Sequence, residues 1–100
     1  MPRATAKLGD TIIAETDIWE NVEGNVYFPL SSIKDQSMLQ KSDTSTFCGW
    51  KGTASYYDLK TGDATVKDAV WYYAEPYDAA KKIKGHVAFY KNKVDIVVEE

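Results

Sequence analysis

Short runs of β-type residues, each closed within a few positions by a turn signal, govern what this chain can fold into. Residues 3–8 read as a first strand before the Gly9-Asp10 turn, and residues 11–15 as a second. Asp17 interrupts the pattern. Residues 18–22 then alternate, with Ile18, Glu20 and Val22 on one face and Trp19 and Asn21 on the other. Glu23-Gly24-Asn25 tolerates positive φ and predicts a tight hairpin before Val26-Tyr27-Phe28. Pro29 ends that strand because it cannot donate to a ladder.

Ser31-Ser32 cap a helical turn running through Ile33, and Met38 and Leu39 plug the core beneath the segment that follows. The polar stretch 42–45 reads as a loop. Residues 46–50 and 52–59 read as strand, bent at Gly49 and Gly52, since a strand glycine marks a bulge or a close backbone approach. Residues 60–63 turn the chain. Val70-Trp71-Tyr72-Tyr73 is the clearest strand, with Trp71 and Tyr73 on one face and Val70 and Tyr72 on the other. Glu75-Pro76-Tyr77 stops it, and Asp78 caps a short helix over 79–83 that closes at Gly85. Residues 86–90 alternate with Val87 and Phe89 inward, Lys91-Asn92-Lys93 turns, and Val94, Ile96 and Val98 line a last strand.

The helical segments are too few and too short for the crossovers of a parallel sheet. The expected fold is therefore all-β or mainly β. It is a compact antiparallel sheet, folded over or closed into a small barrel-like form, with one or two short helices. Residues 1–100 are expected to form a single domain.

A hydrophobic share of 44% is that of an ordinary globular chain. The net charge of −3, with the charges interspersed, argues against a nucleic-acid partner or an anionic membrane as the target. Met1-Pro2-Arg3 leads straight into polar residues and no long apolar stretch follows, so no secretory signal or membrane span is expected. One cysteine excludes an intrachain disulfide and any multi-cysteine metal site. A free thiol and the lack of an export signal are together those of a cytoplasmic protein.

Aromatic residues make up 13% of the chain, and they gather in two places. One is Cys48-Gly49-Trp50-Lys51-Gly52-Thr53-Ala54-Ser55-Tyr56-Tyr57, the other Trp71-Tyr72-Tyr73. Trp50, Tyr56, Trp71 and Tyr73, with Tyr27 and Phe28 as further candidates, are read as walls that stack on a flat ligand or hold a cation. The bland alternative is that these rings are simply core. Lys51, between Trp50 and Gly52, is the candidate polar anchor for a carboxylate or phosphate. Cys48 becomes nucleophilic only if Lys51 or His86 lowers its pKa, and an inert, buried thiol is the preferred reading. Glu23 and Glu75 are the candidate acid–base groups, Glu23 being read first as a turn residue. One imidazole and one thiol fall short of the four ligands of structural zinc, so neither metal nor cofactor is expected.

These segments carry a resemblance. Val22-Glu23-Gly24-Asn25-Val26-Tyr27-Phe28-Pro29, Ser42-Asp43-Thr44 with the run from Cys48 to Tyr56, Trp71-Tyr72-Tyr73-Ala74-Glu75-Pro76, and Ile83-Lys84-Gly85-His86-Val87-Ala88-Phe89-Tyr90 resemble, in order, the bacterial family catalogued as domain of unknown function 427. That family is also filed as nucleotidyltransferase-like. The resemblance implies a compact β-rich domain. Members often carry proline where Gly49 and Ala74 stand here, which leaves those two positions with more backbone freedom. The glycines form no phosphate-cradling loop between a strand and a helix.

Three functions fit this reading. The first is a module binding a small planar or anionic molecule through Trp50, Lys51, Tyr56, Trp71 and Tyr73. The second, implied by the family label, is a nucleotidyltransferase-like enzyme with Lys51 on a phosphate, Glu75 or Glu23 as its acid–base partner, and a divalent ion. The third is an assembly protein that buries its aromatic face against a partner or a second copy.

Overall fold

A computed structural model describes residues 2–100 and is built almost wholly of strands. In chain order these are β1 (Arg3–Leu8), β2 (Thr11–Thr16), β3 (Glu20–Val22), β4 (Asn25–Pro29) and β5 (Leu39–Cys48). They continue with β6 (Gly52–Thr61), β7 (Ala64–Tyr72), β8 (His86–Phe89) and β9 (Asp95–Glu99). All pairings are antiparallel. The strands form a three-stranded sheet in the order β2-β1-β9 and a six-stranded sheet in the order β3-β4-β8-β7-β6-β5. Among the described residues no helix is long and apolar enough to cross a membrane.

The large sheet is apolar on both faces where β4, β8, β7 and β6 run side by side. Phe28, Leu59, Val70, Val87 and Phe89 turn one way and meet Ala4, Ala6, Ile13 and Ala14 of the small sheet. Their neighbours Tyr27, Tyr56, Trp71 and Ala88 turn the other way into a second cluster, which Ala80 and Ile83 complete. Period-2 alternation alone produces this division. Each fully buried Leu, Val or Phe side chain contributes about 1.5–3 kcal/mol, against about 0–1 kcal/mol for a surface ion pair. The aliphatic cluster therefore holds the two sheets together, and the exposed Arg3–Glu15 and Arg3–Asp17 contacts at 3.3 and 3.2 Å add little.

Four local expectations need correction. Residues 42–45 are not a loop but part of edge strand β5, whose register shifts between Lys41 and Ser45. Their polarity has a different cause: Ser42 and Thr44 donate side-chain hydrogen bonds to Asp68 of β7, the latter at 2.7 Å. The strand over 46–50 ends at Cys48, and residues 49–51 are the turn of the β5–β6 hairpin. The short helix expected over 79–83 is a kinked 3-10 segment, Asp78–Ile83, and Asp78 lies inside it rather than capping it. Similarly, Leu30–Ser32 is a 3-10 turn in which Ser32 Oγ bonds the Pro29 carbonyl at 2.7 Å, with no serine acting as its N-cap. Met38 and Leu39 do pack against the first core.

Gly52 opens β6 at φ +113°, and a Cβ there would stand 3.4 Å from the Glu75 carbonyl oxygen. The Tyr77 amide meanwhile donates to the Lys51 carbonyl at 2.9 Å, so the 75–77 segment closes tightly on the hairpin. Gly52→Ala is expected to lower stability by about 1–3 kcal/mol through left-handed strain. Urea unfolding of the two proteins checks this, and an unchanged midpoint contradicts it.

Candidate functional site

The second cluster does not fill its side of the sheet. Tyr56 and Trp71 are direct cross-strand partners on β6 and β7, and Trp71 pairs with Ala88 on β8. The methyl side chains of Ala54 and Ala88 leave space among these rings. The Trp71 indole N–H donates to the Tyr27 hydroxyl at 3.1 Å, with the rings edge-on at 6.2 Å, so the indole is fixed in orientation. Tyr90 lies 4.6 Å from the Trp71 ring and parallel to Tyr56 at 6.3 Å. Its hydroxyl is 3.3 Å from that of Tyr56, which in turn lies 2.9 Å from Thr46 Oγ1. The neighbouring Tyr56 hydroxyl, together with burial, pushes the Tyr90 phenol up to about 12.

Tyr56, Trp71, Tyr73 and Tyr90 thus line a hollow of about 460 Å³. Lys51, Lys91 and the amides of Asn25 and Asn92 complete its lining. The size falls within the range of about 300–1,000 Å³ of small-molecule sites. Lys91 reaches the hairpin opposite, donating to the Gly24 carbonyl at 2.7 Å.

Among the described residues Lys51 is the one charged residue that is buried, only 7% exposed. The hairpin turn that carries it holds its ammonium 5.5 Å from the ring centres of both Trp50 and Tyr73. Glu23 supplies the counter-charge through a hydrogen-bonded ion pair. Glu23 and Gly24 both have positive φ, +54° and +78°, between paired Val22 and Asn25. A two-residue turn of that kind fits the twist of a hairpin but is uncomfortable for glutamate. The same carboxylate accepts a long 3.4 Å contact from the Trp50 indole N–H.

Burial works against the charge on Lys51, but the Glu23 hydrogen bond, with electrostatic help from the Tyr27 and Tyr73 phenols and the Glu23 carboxylate, outweighs it and lifts the ammonium to about 12. Lys51 hydrogen bonding in turn holds the Glu23 carboxyl below its usual range. Tyr73 is pushed up by burial, with Lys51 opposing the shift. At neutral pH the pair is therefore fully ionised.

The hollow brings together Lys51, Tyr56, Trp71 and Tyr73. Trp50 stands beside it, 41% exposed, and touches the site through Lys51 and Glu23 rather than as a wall. Cys48 packs against the aromatic cluster. Glu75 and His86 lie elsewhere: the Glu75 side chain is 87% exposed and 3.8 Å from Lys84, while His86 Nδ1 is 2.9 Å from the Lys84 carbonyl oxygen. Among the described residues no three His, Cys, Asp or Glu side chains gather as a metal site requires. Tyr90, Asn25, Lys91 and Asn92 are lining residues that the sequence reading did not single out. Phe28, a further aromatic candidate, faces the aliphatic core instead.

Because the folded Glu23 has a depressed pKa, its contribution to stability is present above its ordinary value of 4.5 and fades as pH falls through the folded value. Glu23→Gln is therefore expected to be less stable than the parent at neutral pH and equal to it in acid below that range. Urea midpoints at the two pH values check this, and a difference that survives in acid contradicts it.

The family model described as a domain of unknown function (DUF427), which also bears a nucleotidyltransferase-type name, matches residues 2–100, and the chain belongs to that family. No curated protein matches it in sequence.

Proposed function

We propose that this member of the domain of unknown function 427 family is a binding module for a small anionic molecule with a flat portion. The observation that carries this reading is the placing of two ammonium groups, Lys51 and Lys91, beside one hollow walled by Trp71 and three tyrosines. Phenol hydroxyls and lysines donate hydrogen bonds to an oxyanion, and the ring faces accept a planar group by stacking. Lys51 is held in place before any ligand arrives, since two rings and a carboxylate constrain its ammonium. Such preorganisation lowers the ordering cost of binding.

A nucleoside monophosphate combines a flat base with a phosphate and is the compound class to test first. Nucleotidyl transfer, which the family's name carries, has less support. Of its acid–base candidates, the Glu75 side chain is 87% exposed and pairs with Lys84, and Glu23 is already engaged as the counter-ion of Lys51.

Titration with adenosine monophosphate, without divalent ions, is expected to quench tryptophan fluorescence saturably. Lys51→Met is expected to weaken the binding by about 10- to 100-fold, the loss of one charge-assisted hydrogen bond worth roughly 1.5–3 kcal/mol. Trp71→Phe, with circular dichroism confirming the fold, removes most of the signal. Unchanged affinity in Lys51→Met sinks the binding role of that lysine. An absolute requirement for magnesium favours the transfer reading instead.

A further inference from the structure

The Lys84-Gly85-His86 segment takes no part in the first hollow, yet it lines a second one of about 250 Å³. Tyr57 and Tyr72 line it as well, and both side chains pack against the aliphatic core. Trp71, between β7 neighbours on that face, points into the other cluster. The two hollows therefore lie on opposite faces of the large sheet, except that Tyr73 borders both.

Three features give the second hollow a chemical character. Tyr57 and Tyr72 are stacked, 4.5 Å between centres and 18° from parallel, and with Leu30 and Val87 they make a flat apolar wall. Lys84 brings an ammonium whose ion-pair contact among the described residues is a loose 3.8 Å approach to the highly exposed Glu75. His86 has Nδ1 occupied by the Lys84 carbonyl at 2.9 Å, which leaves Nε2 as its free ring nitrogen. Gly85, at φ +77°, would meet no atom within 4 Å of an added Cβ, so the wall stays open there.

We propose that this slot binds a single-ring aromatic carboxylate. Its volume lies under the roughly 300 Å³ at which drug-sized pockets begin, which limits the occupant to about one substituted ring. The stacked tyrosines offer ring contact, and the Lys84 ammonium complements one carboxylate. His86 borders the slot without donating to the ligand, since its ring N–H at Nδ1 is already given to the Lys84 carbonyl. None of the described residues lining the slot is acidic, and the one carboxylate the ligand competes with for Lys84 is the exposed Glu75 at 3.8 Å. The site is independent of the proposed role of the first hollow.

His86 is the one histidine of the chain, so its ring signals in NMR report on this slot without ambiguity. Benzoate is expected to shift them saturably, and benzyl alcohol, the neutral probe of similar shape, to do so more weakly. Lys84→Gln, at an exposed position, is expected to weaken benzoate by about two- to fivefold, as befits a solvent-facing charge, and to leave benzyl alcohol unchanged. Tyr72→Leu is expected to weaken both by up to about tenfold through loss of ring stacking. His86 signals that do not move with benzoate overturn the proposal, as does an equal benzoate response in Lys84→Gln and the parent. Tryptophan fluorescence reports the first hollow separately, so failure at one site is distinguishable from failure at the other.

Discussion

Strands β6, β7 and β8 must satisfy two interiors at once, and every functional feature of this protein follows from how they do it. On one side Leu59, Val70, Val87 and Phe89 close against the small sheet, where each buried aliphatic or aromatic side chain is worth a few kcal/mol. On the other side Tyr56 and Trp71 have no second sheet to cover them, only the 3-10 segment bearing Ala80 and Ile83. A sheet-on-sheet contact excludes solvent over its whole area, whereas a short segment covers part of a face. The rings left beyond its reach become the walls of the first hollow. Both faces bury large side chains, and only the aromatic one leaves ring edges bordering a hollow.

Burying an ammonium beside those rings is costly unless its charge is answered. Removing a lysine from water costs several kcal/mol, and an ion pair alone does not always recover that. Here the answer comes from two directions, the Glu23 carboxylate and the faces of Trp50 and Tyr73, while the Tyr77 amide bond to the Lys51 carbonyl fixes the backbone that carries the lysine. Glu23 makes its bond from a left-handed backbone that glutamate rarely adopts. Strain and counter-charge thus meet in a single residue, at the mouth of the site rather than in the core.

The parts of this fold that were legible in the sequence are those where alternation is unambiguous. Val70-Trp71-Tyr72-Tyr73 assigns its own faces, and Val87 and Phe89 do the same on β8. The first part of β5 was hidden because an edge strand facing solvent has no apolar alternation to display there, and its Ser42 and Thr44 bond Asp68 across the sheet. The 3-10 segment over Asp78–Ile83 imitates a capped helix in sequence, but its kink at Ala80 depends on the packing beneath it. In the site, Lys51 stood out as a lysine set among rings and glycines. Glu23 reads first as a turn residue and second as an acid able to orient Lys51, and it is both, although nothing in a separation of 28 residues chooses it over Glu75. Tyr90, Lys91 and Asn92 reach the hollow only through the register of β8 against β7. His86 enters β8 from the opposite end and borders the other hollow.

The most direct measurement is a crystal structure of the protein grown with a nucleoside monophosphate. The account predicts density in the hollow of Trp71 and Tyr90, with the base against a ring and the phosphate within hydrogen-bond distance of Lys51 Nζ. An empty hollow at saturating ligand, or a nucleotide bound elsewhere while Lys51 remains closed on Glu23 alone, would contradict it.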